Sequence, residues 1–333
     1  MSNSQHNRYN RDSRDSRDSR DNRKIIIDGK PLDLITNASG CWSKTNEQIN
    51  ELVINNMKTE IKTIITKTCT LTENPGNPQP NFSIVDNNTS INCMGMPNFG
   101  YKYYKSLWDT YYKQGITYII SMDASNWNEL RLMLLDYDNY LDVYKYGLND
   151  FANELVEINV SCPNKSIVDS RIIAYDYKAF NELLQIIRNL NLKNISLGFK
   201  LAPYSDKILA MQICNLLSRY SDIVKYIICS NSIPNGMQID TKTGKPLLSI
   251  KTGGISGSAT KLLAISNVYQ FNKAFGNKIP IIGCGGIENY NDVLEYLTSG
   301  AMGVQIGKVL HIEGIHKIIE INNLVNNALN SKL

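Results

Sequence analysis

The sequence predicts an α/β fold: a closed (β/α)8 TIM barrel with a disordered N-terminal tail and with inserted loops and a hairpin at its C-terminal face. Three observations predict it. Eight short β-rich runs alternate with eight helical patterns, and that many strand–helix units in series favour a closed barrel over an open sheet. The β-rich runs are continuously apolar rather than alternating, as in parallel strands covered on both faces. The length of 333 residues exceeds the ~250 of a plain barrel by enough for a tail and insertions.

Taken in order, residues 1–23 repeat Arg-Asp-Ser from Arg11 onward. Their mixed charge and lack of apolar side chains cannot make a core, so they read as a solvated, disordered extension. The remainder, 24–333, reads as one catalytic barrel domain. Strands are expected at 35–40, 63–68, 117–122, 155–161, 196–201, 225–230, 279–283 and 303–307. Each is followed by a helical pattern, at 45–57, 101–113, 127–141, 176–190, 206–220, 259–275, 289–299 and 314–330. Two stretches interrupt the count. Residues 69–100 form a long Pro- and Asn-rich connection, a kind that is usually functional or disordered. Residues 237–251, centred on Thr243-Gly244-Lys245-Pro246, read as an inserted hairpin. Both follow strand C-termini, the face on which barrel enzymes build their sites.

Composition removes several classes of function. The net charge is +4, of which the first 24 residues supply a surplus of three positive charges. The body therefore lacks the basic field that nucleic acid requires. The seven cysteines (Cys41, Cys69, Cys93, Cys162, Cys214, Cys229 and Cys284) are odd in number and form no C-x-x-C pair. With a start too polar for a secretory signal, they indicate a reduced, cytoplasmic compartment. No apolar run approaches the ~18–20 residues of a membrane span. The only histidines are His6, His311 and His316, which argues against a histidine triad or a zinc site, so no metal is expected.

The most informative segment is Asn159-Val160-Ser161-Cys162-Pro163-Asn164, at the end of the fourth strand. A free cysteine is usually a small buried hydrophobe, but one on a loop above a barrel can serve as a proton-abstracting base. Asn159 and Asn164 flank it with amide donors and acceptors suited to a planar, amide-rich ring. Lys67 and Lys200 stand at the ends of apolar strands two and five, where cations face the mouth. Gly257, Gly285, Gly286 and Gly307 let backbone N–H groups approach a phosphate, in the region after strands seven and eight where barrels commonly hold one.

The ordered set of motifs resembles the class 1A dihydroorotate dehydrogenases. It comprises Asn37-Ala38-Ser39-Gly40, Thr66-Lys67-Thr68, Gly76-Asn77-Pro78, Ser90 through Asn98, the Cys162 segment, Gly198-Phe199-Lys200-Leu201, Asn231-Ser232, Gly253 through Gly257, Gly285-Gly286-Ile287 and Gln305-Ile306-Gly307. The motifs span about residues 35–315. The resemblance implies FMN as cofactor, dihydroorotate and orotate as ligands, fumarate as electron acceptor, a homodimer, and neither a membrane nor a nucleic-acid partner. It implies Cys162 as the base that takes a proton from C5 while a hydride leaves C6. Asn92, Asn159, Asn164, Asn231 and Ser232, with the backbone amides of Met94, Gly95 and Met96, would hold the substrate. Lys67 would lie between flavin and substrate, and Lys200 near the flavin N1–O2 edge. Ala38, Ser39, Gly40, Thr68, Asn92, Asn159 and Lys308 complete the expected cofactor contacts beside the glycines.

The sequence departs from that family at four places. Ser121-Met122-Asp123-Ala124 lacks a usual glycine, Lys308 stands where a small hydroxyl residue is common, and Cys284 replaces a small polar residue. Residues 165–173 are longer than usual and lack Pro-Gly. Three other readings stay open on sequence alone. One is a class 1B-like enzyme passing electrons to NAD through a partner. Another is a dihydrouridine synthase, whose RNA-binding C-terminal domain has no counterpart here. The third is a flavin-binding barrel without activity.

Overall fold

In the computed structural model, the residues described are 24–40, 42–56, 61–87, 89–146, 152–162 and 172–331. The disorder expected of 1–23 falls outside them. Eight parallel strands form the barrel: β1 Ile35–Asn37, β2 Thr63–Ile65, β3 Thr117–Asp123, β4 Glu154–Asn159, β5 Ile195–Lys200, β6 Val224–Cys229, β7 Ile281–Cys284 and β8 Gly303–Ile306. They lie in the order β1-β8-β7-β6-β5-β4-β3-β2, so β2 to β8 each pair with the next in sequence and β8 returns to β1. Buried residues run through every one of them, polar ones such as Glu157, Ser196 and Gln305 included, as expected of parallel strands covered on both faces.

The seam between β1 and β2 closes without a ladder. The Asn37 side chain donates to Ile65 O at 2.6 Å and accepts from Ile65 N at 3.0 Å. A short amide thereby does the work of a strand neighbour.

Helices cover the outside: α1 Asn46–Asn56, α2 Tyr101–Tyr112, α3 Trp127–Tyr146, α4 Tyr177–Asn189, α5 Lys207–Arg219, α6 Lys261–Phe275, α7 Tyr290–Thr298, the short α8 Lys308–Glu313, and α9 Ile315–Asn330. Their starts are chemically marked. Asp176 accepts from Ala179 N, Asp206 accepts from Ile208 N and Leu209 N, and Asn289 with Asp292 makes a capping box. Each satisfies amides that the first turn leaves unpaired. The helix expected at 314–330 is present as α9, and the short α8, not expected from the sequence, precedes it and ends at Gly314, whose φ of 82° favours glycine.

An element not expected from sequence closes the bottom. The antiparallel hairpin Lys24–Ile27/Lys30–Asp33 packs across the N-terminal strand ends. Asp33 N donates to Thr63 Oγ1, Thr117 Oγ1 donates to Pro31 O, and Lys30 pairs with Glu154 at 2.5 Å. Asp28 accepts from Ser196.

The mouth carries a second surprise. Residues 69–100 are not a plain connection: they contain Phe82–Ile84 and Thr89–Asn92, which pair antiparallel. Thr89–Asn92 then joins Gly253–Gly257, which joins Ile233–Gly236. This four-stranded sheet forms a roof over the C-terminal face. The hairpin expected within 237–251 is present as Ile239–Asp240 against Lys245–Pro246, with Gly244 at a φ of 68° in its turn.

Candidate active site

The barrel mouth and the roof enclose two adjoining cavities of about 550 and 770 Å³. Ser39, Asn231, Ser232, Ser256 and Lys308 line both, so the two open onto each other.

The larger cavity gathers Cys162 with Lys67, Asn92, Asn159 and Asn231. These come from the ends of β2, β4 and β6 and from the roof, and are spread along the chain from Lys67 to Asn231. Gly40, Thr68, Met94, Gly95 and Met96 complete the expected set there. Asn164, the remaining expected member, lies outside the described residues.

The asparagines are held in place by hydroxyls. Asn231 Nδ2 donates to Ser161 Oγ at 2.9 Å, and Ser161 N and Oγ donate in turn to Asn159 Oδ1 at 3.1 and 3.0 Å. Thr68 Oγ1 meets Ser39 Oγ at 2.9 Å and Ser121 Oγ at 3.0 Å. The Lys67 ammonium donates to Gly40 O at 2.7 Å, which keeps this buried cation against the β1 loop. A buried charge without such a partner would be costly.

The Asn-rich stretch now has a physical reason. Asn77 Nδ2 donates to Cys93 O at 2.7 Å, Asn77 N to Met94 O at 2.8 Å, Asn74 Nδ2 to Gly95 O at 3.1 Å and Asn98 Nδ2 to Met96 O at 2.9 Å. Four successive carbonyls of the cavity-lining Cys93–Met96 stretch thus have hydrogen-bond partners. The loop stores strain to do this: Met96 holds a φ of 58°, a region that bulky residues rarely occupy.

The smaller cavity is lined by Ala38, Lys200, Gly257, Gly285, Gly286 and Gly307. Gly285 and Gly286 have φ of 124° and 65°, and a Cβ on Gly286 would come within 2.8 Å of Gly257 O. The carbonyls are again occupied: Tyr296 OH donates to Gly285 O at 2.6 Å and Thr260 Oγ1 to Gly257 O at 2.8 Å. Lys308 reaches across this end, donating to Asn87 O and to Glu288 Oε1, each at 3.0 Å. Its charge therefore also bridges α8 to the roof and to the loop after β7.

Sequence reasoning missed several wall residues. Ser90 and Ser230 put buried hydroxyls into the walls, and neither has a hydrogen-bond partner among the described residues. Phe82 and His311 pack edge-on at 4.8 Å at the outer rim of the larger cavity. No local pattern marks Ser90, Phe82 and His311, because their place depends on how the roof folds back, whereas Ser230 directly follows β6 and reads locally as a strand end. Burial pushes the thiols of Cys69 and Cys229 well up and that of Cys214 to about 12. Those three sulfurs stay protonated and are not competing nucleophiles. No group of three or more His, Cys, Asp or Glu able to hold a metal occurs among the described residues.

Comparison with known proteins agrees with this architecture. The sequence profile of the family described as dihydroorotate dehydrogenase matches residues 28–329. A Streptococcus agalactiae serotype Ia protein named dihydroorotate dehydrogenase A (fumarate) is 36% identical over 280 residues, 84% of this chain and 84% of that protein. A protein of the same name from Streptococcus pyogenes serotype M18 is 33% identical over 289 residues, again 84% of each. Among solved structures, a dihydroorotate dehydrogenase of Eimeria tenella in complex with ferulenol superposes with a TM-score of 0.70. That alignment covers 93% of this chain and 85% of the other at 17% identity, and speaks to the fold alone.

Proposed function

The chain belongs to the dihydroorotate dehydrogenase family, in its class 1A branch, and from that membership we propose that it uses FMN as cofactor, Cys162 as base and fumarate as electron acceptor. It is a flavin-dependent oxidoreductase acting on a CH–CH donor, and it oxidises dihydroorotate to orotate.

The observation that carries the reading is the meeting of Cys162, Lys67 and three asparagines in one cavity that opens onto a glycine-walled second cavity. The residues fit FMN. The Gly285–Gly286 turn is a cradle that a Cβ would fill, and the Ser90 and Ser230 hydroxyls are buried donors still lacking a partner among the described residues. Gly257, Gly285, Gly286 and Gly307, with Lys308, would hold the phosphate. Lys200, Ala38, Ser39, Gly40, Thr68, Asn92 and Asn159 would hold the ring system. Held by these residues, FMN would supply two-electron chemistry, as acceptor of the hydride from C6 of dihydroorotate and donor of electrons to fumarate.

The protein's part is placement and proton transfer. Cys162 would remove the C5 proton of the substrate. Asn92, Asn159, Asn231 and Ser232 would fix the pyrimidine ring through its amide edges, and Asn164 is proposed as a further member of that set. The N–H groups of Met94, Gly95 and Met96 would take the carboxylate, and Lys67 would add a cation between the two ligands. Orientation of this kind can contribute up to ~7–11 kcal/mol towards the barrier.

A homodimer in the cytoplasm belongs to the same reading, on the strength of the class 1A resemblance. No described helix is long and apolar enough to cross a membrane. Titrating FMN into the apoprotein tests the cofactor: saturation at one FMN per chain is expected, and failure to bind FMN would refute the assignment.

A further inference from the structure

Below the two cavities, inside the barrel, sits a carboxylate that the mechanism above does not use. Glu157 is fully buried and belongs to β4. In register it stands beside Ser121 of β3 and Gly198 of β5, and Gly198 stands beside Tyr226 of β6. All four side-chain positions therefore face the same way, into the barrel. A carboxylate this deeply buried is rare unless paired, so an acid here calls for a reason.

Its neighbours form a series. Gln305 Nε2 of β8 donates to Glu157 Oε2 at 2.8 Å, and the Lys200 ammonium donates to Gln305 Oε1 at 3.3 Å. Lys200 Nζ is also 3.9 Å from Glu157 Oε1. The Gln305 amide is thus polarised the right way round, oxygen towards the cation and NH2 towards the anion. Ser121 Oγ donates to the other carboxylate oxygen at 3.3 Å and passes the connection to Thr68 and Ser39. Lys200 and Gln305 line the smaller cavity, whereas Glu157 does not reach it. A buried ion pair is seldom worth more to stability than apolar packing of the same volume, and the pair here is loosely spaced. Its use lies in where it puts the charge.

We propose that Glu157 is a positioning residue for the flavin site: through Gln305 it holds the Lys200 ammonium at the cavity floor and offsets part of its charge, thereby setting how strongly the site favours reduced flavin. The proposal rests on the reading that Lys200 faces the flavin. A lone lysine at that place would favour the negative charge that reduction brings; the carboxylate behind it moderates that preference, leaving the flavin able to pass its electrons on. The hydroxyl chain through Ser121 and Thr68 ties the same acid to the walls of the substrate cavity.

The test is the two-electron midpoint potential of the bound FMN, measured by equilibrium with a reference dye in the wild type, Glu157→Gln and Glu157→Asp. Glu157→Gln keeps shape and removes charge. It should shift the reduction equilibrium at least tenfold towards reduced flavin, which is about 30 mV more positive for a two-electron couple. Glu157→Asp keeps charge but withdraws it from Gln305, and should shift the equilibrium in the same direction by a smaller factor, two- to fivefold. A purely structural role would lower thermal stability in both variants without this ordered change in potential. An unchanged potential in whichever variant accumulates with FMN bound overturns the proposal while leaving the flavin reading intact. Wild-type protein that takes up no FMN overturns both.

Discussion

Asn37 on β1 is bonded at both ends of its amide to the backbone of Ile65 on β2, donating at 2.6 Å and accepting at 3.0 Å. Seven of the eight barrel seams are strand ladders; this one is a side chain. Ser43 Oγ also donates to Ile65 O at 2.5 Å, so the carbonyl has a second partner while the Ile65 N–H depends on Asn37. Asn37→Ala should therefore orphan a buried amide and cost about 2–3 kcal/mol. Urea unfolding of the apoprotein measures it, and a loss below about 0.5 kcal/mol would mean that the seam closes by other means.

Cys162→Ala should keep the flavin, because the glycine cradle and Lys200 lie in the other cavity. The substrate-driven step should slow by about 10²–10⁴, the usual worth of a positioned base. Stopped-flow bleaching of the bound flavin by dihydroorotate reads this directly. A variant within tenfold of wild type would remove Cys162 from the base role.

Gly286 and Gly115 separate strain from shape. Both hold positive φ, 65° and 69°, but an added Cβ meets Gly257 O at 2.8 Å in the first case and nothing within 4 Å in the second. Gly286→Ala should lower FMN affinity at least tenfold. Gly115→Ala should cost about 1 kcal/mol of stability and leave FMN binding unchanged. Equal FMN affinities for the two variants would show that the Gly286 turn is not part of the cofactor site.

Alkaline pH should weaken the fold. Burial raises Cys214, Tyr111 and Tyr175 to about 12 from ordinary values of 9.0 for the thiol and 10.0 for the phenols. The native state keeps protons that the unfolded chain has released, so stability is whole below about pH 9 and falls as pH rises towards 12. Urea midpoints across pH 8–11 should decline steadily above 9; a flat profile would contradict the burial of these groups.

The alternation of strands and helices was legible because short β-rich runs such as Thr117–Asp123, buried at every position, fall between helical patterns. The roof was not legible. Phe82–Ile84 is three residues long with Ile84 exposed, and Thr89 pairs with Gly257 from the far half of the chain. The bottom hairpin, with Pro31 in its second strand and a polar tail before it, likewise carried no strand pattern. Of the site, the residues on barrel strand ends and in compact motifs were visible, among them Cys162, Lys67 and Lys200. Ser90, Phe82 and His311 were not, since only the roof brings them over the mouth. Glu157 was visible as a charge interrupting Leu155-Val156-Glu157-Ile158, but its partner Gln305 sits on a strand 148 residues away.

The most direct test of the whole account is to mix the FMN-loaded protein anaerobically with dihydroorotate, follow flavin absorbance near ~450 nm, and then add fumarate. The account predicts bleaching on the first addition and recovery of the oxidised spectrum on the second. A flavin that dihydroorotate does not bleach would contradict the assigned substrate chemistry, and bleaching that fumarate fails to reverse would contradict the assigned acceptor.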